Sequence, residues 1–125
     1  MAVSITTQTD PYVDKLIVDI DANATVEPAA MASSSTSYIW DIDNTSNTTT
    51  VCAKFFNHAN PTVDGSGSST EPVVLIVVPK QTRQTVTVSD GVVFATALSF
   101  ACTAGAATTS NTSPANAVTI RIMAE

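Results

Sequence analysis

Hydrophobic positions along this chain recur with a period of two rather than 3.6. Leu16, Val18 and Ile20 alternate with Ile17 and Asp19 in one early segment, and Tyr38, Trp40 and Ile42 alternate with Ile39, Asp41 and Asp43 in the next. Thr50–Phe56 reads as a strong strand, and Val73–Val78 is a continuous apolar run bounded by Pro72 and Pro79. Thr85–Val88 alternates cleanly; Val92–Phe94 begins a short segment, and Leu98, Phe100 and Cys102 mark another. Val118, Ile120 and Ile122 close the series, with Thr119 and Arg121 on the opposite face. Alternation of this kind places one face of a strand on a core and the other toward solvent. No window carries apolar residues at i, i+3, i+4 and i+7, the helical signature. Between the segments lie turn-rich stretches: Asn44–Thr49, Asn60-Pro61, Asp64–Ser68, Asp90-Gly91 and Ala104–Asn116. Residues 23–37 read as a small, polar loop with one short strand near Thr25-Val26. About eight short strands separated by turns predict an all-β, antiparallel sandwich, jelly-roll-like, with an immunoglobulin-like arrangement as second choice.

Composition supports that reading. Hydrophobic residues make up 44% of the 125 and charged residues 13%, which argues for one packed domain rather than a disordered chain. We divide it into an N-terminal arm or edge strand over 1–13 and a single sandwich over 14–125. In the arm, Val3, Ile5 and Tyr12 are the apolar positions. MAVSITTQTD has neither a basic nor an apolar stretch, so no signal peptide is expected, and no apolar run is long enough for a membrane-spanning helix. The Asn-x-Ser/Thr triplets at Asn23, Asn44, Asn47 and Asn111 then read as turns. Cys52 and Cys102 are expected as buried thiols, with a bridge as the alternative. The lone Trp40 precedes Cys52, the reverse of the immunoglobulin order.

Net charge is −6. All of it arises within residues 1–43; residues 44–125 are neutral. An acidic chain without a basic patch is a poor partner for nucleic acid. The acidic third serves solubility, with a basic protein surface as the alternative partner. Asp19-Ile20-Asp21 and Asp41-Ile42-Asp43 place carboxylates at i and i+2, the spacing at which two side chains share a strand face. Two such pairs on neighbouring strands would suit a calcium ion; the simpler expectation is two solvent faces whose like charges keep the strands from pairing directly. His58, the single histidine, has no nucleophile elbow or metal-ligand spacing around it and reads as a turn residue. Gly65-Ser66-Gly67 lacks the Lys-Ser/Thr of a phosphate loop. Tyr12, Tyr38 and Trp40 could form a sugar-stacking platform, giving a carbohydrate-binding module; core or interface packing is the commoner use of such rings. The residues point to no enzyme and no cofactor.

A further signal lies in the order of segments after Asp43. The turn Asn44–Asn47, the strand Val51–Asn57, Pro61-Thr62-Val63, the run Val74–Pro79, Gln84–Val88, Asp90–Phe100 and Ala117–Ile120 together resemble the small β-sandwich virion proteins of tailed bacteriophages. The family often has glycine where Ala97 stands. The resemblance covers roughly residues 43–123 and implies a structural component of a phage particle, assembled in the host cytoplasm. Within that class the chain fits a capsid decoration, or cement, protein: a homotrimer bound to the major capsid protein, without direct nucleic-acid or membrane contact. A tail, neck or fibre-associated protein is the alternative. Val3, Ile5, Tyr12, Val74, Ile76 and Val78 are the expected interface residues.

Overall fold

A computed structural model describes residues 3–7, 14–64 and 71–125. Among them the chain forms β1 (Val3–Thr7), β2 (Lys15–Ala22), β3 (Glu27–Met31), β4 (Ser35–Asp43), β5 (Val51–Asn57), β6 (Val74–Val78), β7 (Arg83–Phe94), β8 (Leu98–Ala104) and β9 (Val118–Ala124), with no helix. The strands make two antiparallel sheets, ordered β1-β2-β9-β4-β7 and β3-β8-β5-β6. The protein is an all-β sandwich. Apart from the neighbours β1–β2 and β5–β6, consecutive strands lie in opposite sheets, so the chain crosses the core repeatedly.

The core lies between the sheets. Ile17, Trp40, Ile42, Ile120 and Ile122 meet Val51, Phe55, Val78, Leu98 and Phe100, all essentially without solvent contact. Trp40 and Phe55 sit 6.0 Å apart and tilted, and Phe100 continues the stack 6.1 Å from Phe55. Full burial of each such side chain contributes about 1.5–3 kcal/mol.

Three details depart from the sequence expectation. Glu27–Met31 is a strand in a stretch read as loop, held to β8 with a break in register and with Ala29 at φ 48°. Thr85–Val88 and Val92–Phe94 belong to one long β7; Asp90-Gly91 is a bulge inside it rather than a turn. Along β4 the register passes from Ser37–Val92 directly to Ile39–Thr87, so the extra residues of β7 loop out opposite Tyr38. Gly91 takes φ +73° there, beneath the Tyr38 ring, a backbone state that glycine enters freely. The third departure is the inside-out reading of β2. Ile17, Asp19 and Ala22 point inward, while Leu16 and Val18 face outward and Ile20 is 58% exposed. At Ala97 the bend before β8 forms without left-handed backbone: Asn57 Oδ1 accepts the Thr96 and Ala97 amides at 2.8 and 3.4 Å.

Candidate functional site

The two central strands of the four-stranded sheet, β5 and β8, are buried on both faces. Val51, Ala53 and Phe55 enter the core; Cys52, Lys54 and Phe56 point the other way and are just as buried. What covers them is chain that looked like open loop. Lys54 Nζ donates to the carbonyls of Val63, Thr108 and Ser110 at 2.9, 2.7 and 2.8 Å. One ammonium thus ties the segment after β5 and the segment after β8 over the sheet. Three acceptors match the three donors of a lysine head, and a buried charge needs such partners. Burial pushes the Lys54 ammonium below its ordinary pKa, and Asp64 pulls it back up. Nearby, Ala104 N donates to Thr112 O, Ser110 Oγ to Ala104 O, and Ser99 Oγ to His58 O.

A second polar joint closes one end of the sandwich. Asn44 is buried and its amide reaches the carbonyls of Thr49 and Pro79 at 3.1 and 3.0 Å. The Asn47 side chain grips the Asn116 backbone at both ends, Nδ2 donating to Asn116 O at 3.1 Å and Oδ1 accepting the Asn116 amide at 2.8 Å. Asn44 and Asn47 are therefore structural turn residues, their side chains committed to the interior.

The candidate calcium ligands do not converge. β9 lies between β2 and β4, so the two Asp-Ile-Asp segments are not paired, as their like charges suggested. Asp19 is buried within the sandwich, where its Oδ1 accepts the Asp21 amide at 3.0 Å, and Asp21 is exposed. The pair is split because the register slips between Asp19 and Ala22. Asp41 is taken by cations: Arg83 reaches it at 2.6 Å with a second contact through Nε, and Arg121 approaches to 3.5 Å. The Arg83 hydrogen bonds hold the Asp41 carboxyl below its ordinary value, and the Thr45 hydroxyl and amide do the same for Asp43. Among the described residues no group of three His, Cys, Asp or Glu side chains is placed to hold a metal. The charge asymmetry of the sequence also fades in the fold, since arginines of the neutral part neutralise Asp41.

The aromatic platform is corrected as well. Trp40 has no exposed surface, and the bulge of β4 at Tyr38 turns that ring outward, where its hydroxyl donates to Glu125 Oε2 at 2.8 Å. Tyr12 lies outside the described residues. His58 Nδ1 accepts the Asn60 amide at 2.9 Å, a turn contact. Cys52 and Cys102 are free buried thiols; Cys102 stands opposite Ala53 on the core face, whereas Cys52 faces the covering loops. Burial pushes the Cys102 thiol up to about 12 and raises that of Cys52.

Two apolar surfaces reach solvent among the described residues, the first through half-buried side chains and the second through exposed ones. On the outer face of the five-stranded sheet, Leu16, Met123 and Ile39 stand side by side across β2, β9 and β4, with Val18 in the next row beside Arg121 and Asp41. The second surface is the sheet edge at β6. Ile76 and Val78, expected at an interface, instead point into the core, and Val74 packs against it. The exposed side chains are Val73, Leu75 and Val77, at 51%, 38% and 39%. In the N-terminal segment, Val3 packs on the core and Ile5 is 47% exposed; both sit on the edge strand β1, aligned with Asp19 and Ile17.

The chain matches no protein-family model, and comparison with curated proteins and with solved structures gave no match.

Proposed function

We propose that the protein is a structural component of a bacteriophage particle, a decoration protein that binds the major capsid protein and holds neighbouring capsid subunits together. The observation that supports it is the outer face of the five-stranded sheet. Leu16, Ile39 and Met123 form an aligned apolar row on three adjacent strands, with Val18 beside it and Ile20 on the same strand. Three of these five side chains come from β2, outside the stretch that resembles virion proteins. That stretch supplies the strands from β5 to β9, which carry most of the core. The reading thus assigns a common frame to residues 43–123 and a particle-binding surface largely to what precedes them. Each apolar Å² removed from water contributes about 25 cal/mol before the cost of association. A modest contact repeated over many capsid positions stiffens a shell.

Copy number in purified particles, measured by quantitative mass spectrometry, tests the assignment. Hundreds of copies per particle are expected. A small multiple of three or six would move the protein to the tail or neck, and absence from particles would overturn the reading. Ile20→Lys and Ile39→Lys, both on the outer face, are expected to leave the domain folded and to empty the particle sites.

A further inference from the structure

We propose that β6 pairs edge to edge with β6 of a second copy of this chain about a two-fold axis. Four strands end the two sheets among the described residues: β1, β7, β3 and β6. Two of them, β3 and β7, carry devices that discourage strand addition, and β1 is polar on its outer face. β3 contains Pro28 and a break in register; β7 contains Arg83, Asp90 and a bulge; β1 presents Ser4 and Thr6 on its outer face. Charge, proline and irregularity are the usual protections of an edge. Within Val74–Val78 there is none of these. The strand pairs with β5 in unbroken register, and Leu75 and Val77 with the adjoining Val73 are exposed beside that edge.

The flanks say what covers it. Residues 71–80 read Glu-Pro-Val-Val-Leu-Ile-Val-Val-Pro-Lys. The apolar core of this segment has the same character read in either direction, and its ends carry opposite charges, both exposed. A two-fold axis reverses the strand, so each Glu71 end meets a Lys80 end, twice per contact. Such self-complementarity is what an isologous interface demands. An unrelated strand would need only the apolar stretch. Register follows as well. Outward side chains must face outward side chains, so odd positions meet odd ones and the axis passes through Leu75 or Ile76. In either case Glu71 falls one residue from the partner's Lys80, and both lie beyond the Val74–Val78 ladder, where strand alternation no longer assigns side chains to opposite faces. Pro72 and Pro79 lack the amide hydrogen that would extend the ladder, which confines pairing to this window.

The two four-stranded sheets would then run on as one. The contact is small beside a standard interface of about 800 Å² per partner, so the dimer forms at high protein concentration, as on a crowded surface. Sedimentation velocity over a wide concentration series tests it. The expected result is a reversible monomer–dimer equilibrium, weakened at least about tenfold by Leu75→Lys. Glu71→Lys and Lys80→Glu each weaken it, and the double variant Glu71→Lys with Lys80→Glu restores it. All three positions are exposed, and circular dichroism verifies that each variant folds. A wild-type chain that stays monomeric, a trimer, or a double variant no better than the singles overturns the proposal. The particle reading does not depend on this contact: a monomer found at hundreds of copies per particle would sink the β6 dimer alone.

Discussion

Replacing Lys54 by Met tests the idea that one buried ammonium fastens two loops to the sandwich. Methionine keeps most of the unbranched stem, so the change isolates the head group. In the native protein Nζ serves three carbonyls at 2.7–2.9 Å. Hydrogen bonds to charged groups contribute about 1.5–3 kcal/mol each, but dehydrating an ammonium costs several kcal/mol, and much of the gain is offset. The loss in the variant is dominated by what stays behind. The carbonyls of Val63, Thr108 and Ser110 lose their donor, at about 1–3 kcal/mol for each that remains dry. Water entering from the loop side relieves some of this, and the net cost is about 3–5 kcal/mol. Against a total of about 5–15 kcal/mol for a typical domain, that is a large fraction. Urea unfolding of wild type and variant gives the number. Hydrogen exchange gives the location: amides at 104–112 should lose protection before those of the core strands β4 and β9. A change below about 0.5 kcal/mol, the range of ordinary surface substitutions, would refute the argument. It would mean that the loops are held by other contacts.

Other expectations follow from single features of the fold. Gly91→Ala places a Cβ against Thr36 and within 2.8 Å of the Tyr38 ring at φ +73°, and should cost about 1–3 kcal/mol in thermal or chemical unfolding. Trp40→Ala should cost about 3–5 kcal/mol; Trp40→Phe should cost less, because it also removes a buried indole N–H that has no hydrogen-bond partner among the described residues. The Cys102 thiol titrates at about 12 in the folded chain, above the ordinary 9.0. Its contribution is present below pH 9 and is lost as pH rises from 9 toward 12, by about 1.4 kcal/mol per pH unit; unfolding curves of wild type and Cys102→Ala across this range should diverge in slope. Asp41 behaves in the opposite sense: its folded pKa lies below 3.8, so its contribution is present above that value and is lost as pH falls through the folded pKa. Arg83→Gln should flatten this acid limb with little effect near neutrality, as expected for a solvent-screened pair in which Arg83 is half exposed.

The sequence revealed the strands better than their faces, and the reason is visible at β2 and β6. Period-two alternation groups residues onto a common face but does not say which face is the inside. Over Leu16–Ile20 both sets are apolar apart from Asp19, and Asp19 is on the inside, so the charge pointed the wrong way. In β6 every residue is apolar, and only pairing with β5 shows that Ile76 and Val78 are core and Leu75 and Val77 are surface. Tyr38 and Trp40 are separated by a bulge at which β4 advances two residues for one of β9 while β7 loops out on the other side, and no apolar pattern within β4 announces it. Lys54 left a clearer trace. A lysine amid Val51-Cys52-Ala53 and Phe55-Phe56 is out of place in a doubly buried strand unless acceptors reach it from elsewhere. Those acceptors lie 9, 54 and 56 residues away, in segments with no periodicity of their own. Such segments look like loops because their order is imposed from outside, by the side chain they enclose. The same logic bears on β6. A strand apolar on both sides, without the charge, proline or irregularity that β3 and β7 carry, is incomplete within one copy of the chain. The opposite charges at its two ends make a second copy the natural completion.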